Sequence, residues 1–210
     1  MWTDLSTNAS LSPVDRIVYN GEMKLTETAP QIDIPPRERI LHVAHDLFYR
    51  EGIRATGIDR IIAESGVTKV TFYRHFPSKN DLICRYLDYR HTLWMNWFTD
   101  ALQRHGRQAR AIVPALAEWF GDANFRGCAF INGVVELEGA LPEVMEIAQA
   151  HKNDMLAAIA KLLPQSGSRA KNAQALALAI DGAIIHAQLH QDASQALDGL
   201  NRIVKSLQPK

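Results

Sequence analysis

Hydrophobic residues begin to recur at helical spacing only after the Pro35–Pro36 pair. The apolar positions that follow lie three or four residues apart, so they share one face of an amphipathic helix: Ile40, Val43, Ala44, Leu47 and Phe48. Pro36 suits the first turn of this helix, and Gly52 suits the position just after its last turn. The pattern therefore predicts a first helix between these two residues.

Two short helices are predicted next, because the chain carries closely spaced start and stop signals. Thr56-Gly57-Ile58-Asp59 reads as a capping box, with the Thr56 hydroxyl as the cap of the second helix. Ser65-Gly66-Val67 is a tight break in which Gly66 can take the left-handed conformation. Thr68 then caps a third helix that ends before Pro77.

The rest of the chain also has helical periodicity, and no segment alternates like a strand. Ser78 caps a longer helix that continues to about Phe98. Further helices rich in Ala, Leu and Ile are predicted over 108–121, 127–139, 142–163, 169–190 and 192–207. The predicted fold is all-α, with about nine helices: an N-terminal three-helix helix-turn-helix head and a C-terminal helical bundle.

Three regions follow from this pattern. Residues 1–34 are polar and aperiodic, which predicts a flexible arm, and Met23 is an alternative start. Residues 35–82 form the predicted head, with its helix-turn-helix motif at 57–76. Residues 83–210 form the predicted body, a larger helical bundle.

The third helix of the head carries two kinds of side chain. Val67, Phe72 and Phe76 are spaced to face inward and hold the helix against its neighbours. The outward positions have groups that can contact base edges in a major groove: Lys69, Val70, Tyr73 and Arg74. Thr71, His75 and Lys79 lie at the edges, where their side chains suit phosphate oxygens.

Charge is balanced over the chain, with 23 basic and 23 acidic side chains. Between Arg37 and Lys79, however, eight Lys or Arg residues face five acidic ones, a local excess of three positive charges. Such charges are often simply solvated. Combined with the turn spacing and the outward polar set, they favour DNA binding instead.

The stretch from Arg37 to Leu87 resembles the DNA-binding domain of the tetracycline-repressor (TetR) family of transcriptional regulators. The matching positions are Thr56, Ile62-Ala63, Gly66-Val67-Thr68, Phe72-Tyr73, His75-Phe76, Ser78-Lys79 and Leu82. The sequence departs from the family pattern at Ser65 and Ile61. The resemblance implies groove contacts by Lys69, Val70, Tyr73 and Arg74, and DNA-backbone contacts by Thr68, Thr71, Tyr73, His75 and Lys79. Thr56 is also expected among the DNA-binding residues, and residues 83–210 are expected to bind the effector and to dimerise.

Two motifs of the body also resemble one branch of that family. They are Arg126-Gly127-Cys128 with Asn132 and Glu136-Leu137, and Asp181-Gly182-Ala183 with Ala187. Small residues near the second motif permit close helix approach, including Ala173, Ala177 and Ala179. We expect the last two helices to pair in a homodimer, with an ordinary core helix as the alternative.

Aromatic residues gather where a small-molecule pocket is expected in the body. The candidate ligand-binding residues are Trp94, Trp97, Phe98, Trp119 and Phe130, although each could equally be core. Cys128 at a helix start could sense redox state or electrophiles, or could be a small buried residue. No cofactor and no metal site is predicted, because His186 and His190 supply two ligands at most.

These observations predict a ligand-responsive repressor that binds a palindromic DNA operator as a homodimer. The alternatives are an all-α enzyme and a protein-interaction module with a similar head. The chain has no nucleophile triad spacing, no phosphate-binding glycine loop and no HExxH motif, so no enzyme is expected. Two distant cysteines and the lack of a long apolar run predict a cytoplasmic protein without a membrane anchor.

Overall fold

The computed structural model describes residues 34–137, 139–190 and 192–207, and the regular structure in these ranges is entirely helical. Nine α-helices occur in this described part of the chain. They are α1 (Pro36–Glu51), α2 (Ile58–Ser65), α3 (Lys69–His75), α4 (Lys79–Arg104), α5 (Ile112–Phe120), α6 (Ala129–Leu137), α7 (Glu143–Lys161), α8 (Arg169–Leu189) and α9 (Ser194–Ser206). A 3-10 turn, Ala109–Ala111, precedes α5. The all-α prediction is confirmed.

The ends of α1 follow from its proline and its glycine. Pro36 occupies the first turn, where the N–H that proline lacks has no partner within the helix anyway. Gly52 ends the helix with φ +95°, a conformation that disfavours any side chain. Between them, Ile40, Ala44 and Leu47 are almost fully buried and form the side that packs on α2, α3 and α4.

The turn between α2 and α3 has the predicted geometry. Gly66 is left-handed, with φ +62° and ψ +34°, and its backbone N–H bonds back to the last turn of α2. The Thr68 hydroxyl then accepts a hydrogen bond from the Thr71 backbone N–H at 3.1 Å and caps α3. Local hydrogen bonds thereby set the end of α2 and the start of α3.

The start of α2 differs from the prediction. Gly57, not Thr56, is the N-cap residue, and no side chain caps this helix. Thr56 is 0% exposed, and its hydroxyl donates to the Gly52 carbonyl at 2.8 Å. The capping-box prediction was therefore wrong, because the threonine turns inward to satisfy the carbonyl at the end of α1.

Helix α4 joins the head to the body without interruption. Ser78 caps it as predicted by accepting from the Asp81 N–H at 3.1 Å, and the helix ends at Arg104, one and a half turns beyond the predicted Phe98. It packs on α1 in the head and on α5, α6 and α7 in the body. Helix α4 therefore contacts both the head and the body.

In the body, α7 packs between α4 and α8, and α8 is flanked by α7 and α9. A hydrogen-bonded ion pair of 2.5 Å between Lys152 and Asp181 ties α7 to α8. No helix in the described ranges is long and apolar enough to cross a membrane. The predicted arm, residues 1–34, and the alternative start at Met23 lie almost entirely outside the described residues. The head–body boundary at residue 82 falls inside α4 and stays a prediction.

Candidate nucleic-acid interface

Helix α3 presents the predicted outward set to solvent. Lys69, Val70, Tyr73 and Arg74 are all exposed, and Val70 is 78% accessible although it is aliphatic. Phe72, in the middle of this set, is 0% exposed. An exposed valine among cationic and phenolic groups has no packing role within the chain, so this face is suited to contact a partner.

Two phenylalanines anchor α3. Phe72 and Phe76 are four residues apart, with their ring centroids at 6.2 Å, and both are at most 1% exposed. The guanidinium of Arg37 lies over the Phe76 ring at 5.5 Å and covers the end of the helix. Because α3 has only seven residues, this packing and its cap, rather than intrinsic helix propensity, must hold it in place.

The remaining predicted backbone contacts lie around α3. Thr68 is exposed, whereas Thr71 and His75 are partly buried. The Thr68 and Thr71 hydroxyls lie 2.9 Å apart, and the Thr68 oxygen also accepts the Thr71 N–H. These groups surround the exposed face of α3, and their contact with DNA stays a prediction.

The charges of the head divide into paired and available groups. Arg60 on α2 binds both Glu51 and Glu64, and hydrogen bonding from Arg60 lowers the pKa of Glu51. Lys69 lies 3.8 Å from Asp59, with both side chains well exposed. Arg74 forms no ion pair with any residue that the structure describes. Lys69 and Arg74 therefore place positive charge on the exposed face of α3, where it can reach an external anion.

Two residues predicted to contact DNA are placed elsewhere by the fold. Thr56 is fully buried under the loop after α1, and its hydroxyl faces the Gly52 carbonyl. Lys79 turns inward: its Nζ donates to the Ile53 carbonyl at 2.7 Å and lies 5.9 Å from the centre of the Phe48 ring. Burial lowers the pKa of Lys79, and the Glu136 carboxylate partly opposes that shift. Both side chains are held inside because the loop after α1 leaves carbonyls that need internal donors, and their contact with DNA stays a prediction.

We expect the Lys79→Met variant to lose about 1–2 kcal/mol in the free energy of unfolding, because the Ile53 carbonyl loses its donor. The salt dependence of DNA binding should stay unchanged, since the lysine makes no phosphate contact in this arrangement. Urea denaturation and titrations with DNA at several salt concentrations measure the two effects.

Lys69→Met is the matched control for this prediction. Lys69 is exposed on α3, so its loss should leave the stability unchanged and reduce the salt slope of DNA binding. A reduced salt slope with wild-type stability in Lys79→Met would contradict the inward role of Lys79.

The sequence and the fold both have known relatives. Residues 40–85 match the model of the family described as bacterial regulatory proteins, tetR family. A TetR-family transcriptional regulator from Streptomyces coelicolor is 32% identical, and the match covers 82% of this chain and 95% of that one, with a TM-score of 0.73. The chain belongs to the TetR family of transcriptional regulators.

Two further comparisons differ in how much of the chain they cover. A helix-turn-helix transcriptional regulator from Staphylococcus aureus strain USA300 is 45% identical over 51 residues, which is 24% of this chain and 27% of that protein. This chain thus matches about a quarter of the length of such curated relatives. The reduced form of Escherichia coli NemR has a TM-score of 0.70 at 20% identity, covering 82% of this chain and 97% of that one, and so shares the fold.

The TetR-family body contains a small internal cavity of about 10 Å³. Three of the five candidate ligand residues line it: Trp94, Trp119 and Phe130. The other two do not. Phe98 is 0% exposed and stacks on Trp94 at 4.6 Å, and Trp97 packs against the same tryptophans.

The cavity wall includes residues that the sequence did not single out for binding. Arg90 and His151 are each only 2% exposed, and both line the cavity, as does Cys128 at 4%. His151 stacks on Phe130 at 3.7 Å, and its Nδ1 lies 3.1 Å from the Nδ1 of His91. The signal that could have identified them is a basic or imidazole residue at a helical position that becomes buried. The sequence does not show which of these positions are buried.

The buried histidine gives the stability a pH dependence. Burial, reinforced by the nearby Lys152, His91 and Arg90 charges, lowers the pKa of His151 to about 3. The unfolded chain binds a proton at this residue below about pH 6.5, whereas the folded chain stays neutral there until near pH 3, so acid favours unfolding. Burial lowers the pKa of His45 as well, which acts in the same direction.

We expect His151 alone to reduce the free energy of unfolding by about 2 kcal/mol between pH 7 and pH 5. Urea denaturation at several pH values in this range gives the free energy of unfolding as a function of pH for the wild type and the His151→Gln variant. The difference between the two slopes measures the contribution of His151. The exposed His186→Gln serves as the control and should keep the wild-type slope. Identical slopes in His151→Gln and wild type would show that His151 takes up a proton as readily in the folded protein as in the unfolded chain.

Proposed function

We propose that this TetR-family protein is a sequence-specific DNA-binding repressor that binds a palindromic operator as a homodimer and responds to a small molecule. The observation that carries the proposal is the exposed face of α3, where Lys69, Val70, Tyr73 and Arg74 project from a helix fixed by Phe72 and Phe76. A regulator of this kind acts where the genome lies, which in bacteria is the cytoplasm.

The chemistry of this face suits a major groove. Arg74 and Lys69 can donate to guanine O6 and N7, and the exposed Val70 can contact a thymine methyl group. Thr68 and His75 at the edges can donate to phosphates and set the register of the helix on the duplex. The buried phenylalanines keep the helix rigid, so its side chains reach the bases without first being ordered.

Arg74→Ala should weaken binding to the cognate operator by about 1–3 kcal/mol if the guanidinium reads a guanine, with a smaller loss on random DNA. Fluorescence anisotropy with both duplexes at one salt concentration measures the difference. The exposed Arg85→Ala, on α4, is the control, and it should leave both affinities unchanged. Equal losses on both duplexes would make Arg74 a phosphate contact instead.

Homodimerisation is supported by an apolar seam along α8. Its members are spaced alternately three and four residues apart and are exposed in the single chain: Ala175, Leu178, Gly182, Ile185 and Leu189. Leu178 is 70% accessible and Leu189 is 73% accessible. An a/d-type seam of this kind is buried when a second helix packs against it.

Gly182 adds to this argument. A Cβ atom at this position would meet nothing within 4 Å in its own chain, so the chain itself does not require glycine there. In a helix pair, small residues allow the two backbones to approach closely. Ala173, by contrast, is 1% exposed and packs within its own chain, so it does not belong to the proposed seam.

The ligand response is proposed to act through contacts of the body with the end of α1 and with the loop that follows it. Glu136 on α6 accepts a hydrogen bond from the Arg54 backbone N–H at 2.8 Å. The Tyr49 hydroxyl donates to the Gly127 carbonyl and accepts from the Arg126 N–H, each at 3.0 Å. A ligand that shifts α6 or α4 would rotate the head and change the distance between the two recognition helices.

A mobility-shift assay with the DNA upstream of the protein's own gene tests the proposal. We expect a specific shift that survives competitor DNA and weakens steeply as salt rises. Lys69→Met combined with Arg74→Ala should remove the specific shift while leaving the unfolding transition unchanged. If no specific shift appears at low salt, either with this upstream DNA or with duplexes selected from a random-sequence pool, the repressor function is wrong.

A further inference from the structure

The internal cavity of the body has an unusual wall. Besides its apolar side chains, the wall contains two tryptophans, an arginine, a histidine and a lysine. The residues that line the cavity are Arg90, Trp94, Trp119, Cys128, Ala129, Phe130, His151, Lys152, Met155 and Ile184. Trp94 and Trp119 meet edge to face with their centroids 5.6 Å apart, and Trp94 lies 5.1 Å from His151. The space of about 10 Å³ between them just reaches the size of one water molecule.

Hydrogen-bond donors in this wall outnumber their acceptors. The Nε1 atoms of both Trp94 and Trp119 are buried, and neither has an acceptor among the described residues. A buried N–H without an acceptor costs about 1–3 kcal/mol, so two of them beside one cavity need an explanation. A bound group that offers acceptor oxygens would satisfy both.

We propose that this cavity is the effector site and that it takes the carboxylate end of a small organic acid with an apolar body. The inference rests on the proposed ligand-responsive function. Two indole N–H groups and the guanidinium of Arg90 supply donors and positive charge for the carboxylate. Phe130, Met155 and Ile184 supply the apolar remainder of the wall.

The alternatives fit the wall less well. An organic cation is disfavoured because Arg90 and Lys152 both line the cavity, and the Asp181 carboxylate that could offset them is bound to Lys152. A purely apolar ligand would leave both indole N–H groups without acceptors. Burial lowers the pKa of His151 to about 3, so this residue is neutral at physiological pH. The positive charge of the wall therefore comes from Arg90 and Lys152.

A route to the cavity starts from a surface groove of about 1040 Å³ between the end of α1, α6 and the end of α8. Ala129 lines both the groove and the inner cavity, so the two spaces adjoin at this small residue. Phe125 lies in the groove with its ring 5.1 Å from the Trp119 ring. Rotation of Phe125 and of the flexible Met155 is the movement needed to admit a ligand larger than water.

Arg90 connects the cavity to the head. Its guanidinium lies 4.0 Å from the centre of the Tyr49 ring, and its Nη1 lies 3.4 Å from the Nε2 of His45, both on α1. A carboxylate in the cavity would compete with these α1 groups for the same guanidinium. Because Tyr49 also bonds to Gly127 and Arg126, drawing Arg90 into the cavity would loosen α1 from the body.

Isothermal titration of the full-length protein without DNA tests the site, with benzoate and phenylacetate as probes and benzamide, phenylacetamide and inorganic phosphate as comparisons. We expect each carboxylate to bind at least about tenfold more tightly than its uncharged counterpart and than phosphate. Trp94→Phe and Trp119→Phe should each weaken carboxylate binding about 5- to 30-fold, since a hydrogen bond to a charged group is lost. Trp97→Phe is the matched control, because Trp97 belongs to the same aromatic cluster but does not line the cavity.

The outcomes separate this inference from the proposed function. If neither carboxylate binds at about 10 mM, or if both tryptophan variants bind as tightly as Trp97→Phe, the effector site is wrong even when operator binding is intact. If the carboxylates bind as expected but the protein shifts no DNA, the repressor function is wrong and the site stands. Arg90→Lys adds a further check: it should still bind carboxylate, but its operator affinity should be weakened already without ligand and change little when the ligand is added, because lysine cannot stack on Tyr49 as a planar guanidinium does.

Discussion

Replacing Leu178 by aspartate should convert the proposed dimer into a monomer and remove operator binding at ordinary protein concentrations. Leu178 is 70% accessible in the single chain and is the larger-side-chain neighbour of Gly182 in the apolar seam on α8. In the proposed dimer, two leucines would lose their burial and two carboxylates would enter the interface in their place. We expect the dimer dissociation constant to rise about 1,000-fold or more, equivalent to roughly 4 kcal/mol.

Analytical ultracentrifugation measures this shift directly, and a mobility-shift titration measures its consequence. A monomer can occupy only one half-site at a time, so we expect affinity for a palindromic operator to fall about 100-fold or more. Gln149→Asp introduces the same charge on the exposed side of α7 and should leave both measurements unchanged. A Leu178→Asp protein that remains dimeric would place the interface on another surface.

Phe72→Ala should cost about 3–5 kcal/mol in the free energy of unfolding, the largest stability effect expected from a change in the head. Phe72 is 0% exposed and is one of two rings that anchor a seven-residue helix. Since a helix this short is not stable alone, losing its anchor leaves α3 without a fixed position. DNA binding should be lost together with the fold of the head.

The neighbouring residue supplies the contrast to this prediction. Tyr73→Phe keeps the ring on the exposed side of α3 and removes only the hydroxyl, so the stability should change by less than about 0.5 kcal/mol. DNA affinity should nevertheless fall, since a donor to DNA is lost. Chemical denaturation and DNA titration of both variants measure the two roles, and a stability loss in Tyr73→Phe as large as in Phe72→Ala would contradict the assignment of faces on α3.

The inward placement of two polar residues in the head, which the sequence did not predict, has one physical cause. Thr56 and Lys79 are polar residues near the start of a helix, where sequence patterns favour capping and phosphate contacts. In the fold, both are drawn to carbonyls of the loop after α1, at Gly52 and Ile53 respectively. These carbonyls lie away from solvent and need donors, a requirement that arises only once the loop packs against α4 and α6.

The cavity in the body illustrates a second limit. The sequence indicated which aromatic residues could surround a ligand, and three of the five line the cavity. It did not identify Arg90 or His151, because a basic or imidazole residue on an amphipathic helix is usually solvated. Their burial results from the packing of α4 against α6 and α7, which no local pattern specifies.

The sequence by itself determined the helices, the caps at Thr68 and Ser78 and the two faces of α3, since these depend on interactions between residues a few positions apart. Gly66, Thr68 and Ser78 act through hydrogen bonds within one helical turn, and Phe72 and Phe76 through an i, i+4 pair. Only the tertiary structure decided that Lys79 serves the loop, that Arg90 joins the cavity to α1, and that the α8 seam is left exposed. These outcomes depend on which distant groups compete for burial and for hydrogen bonds, and that competition is resolved only when the helices pack.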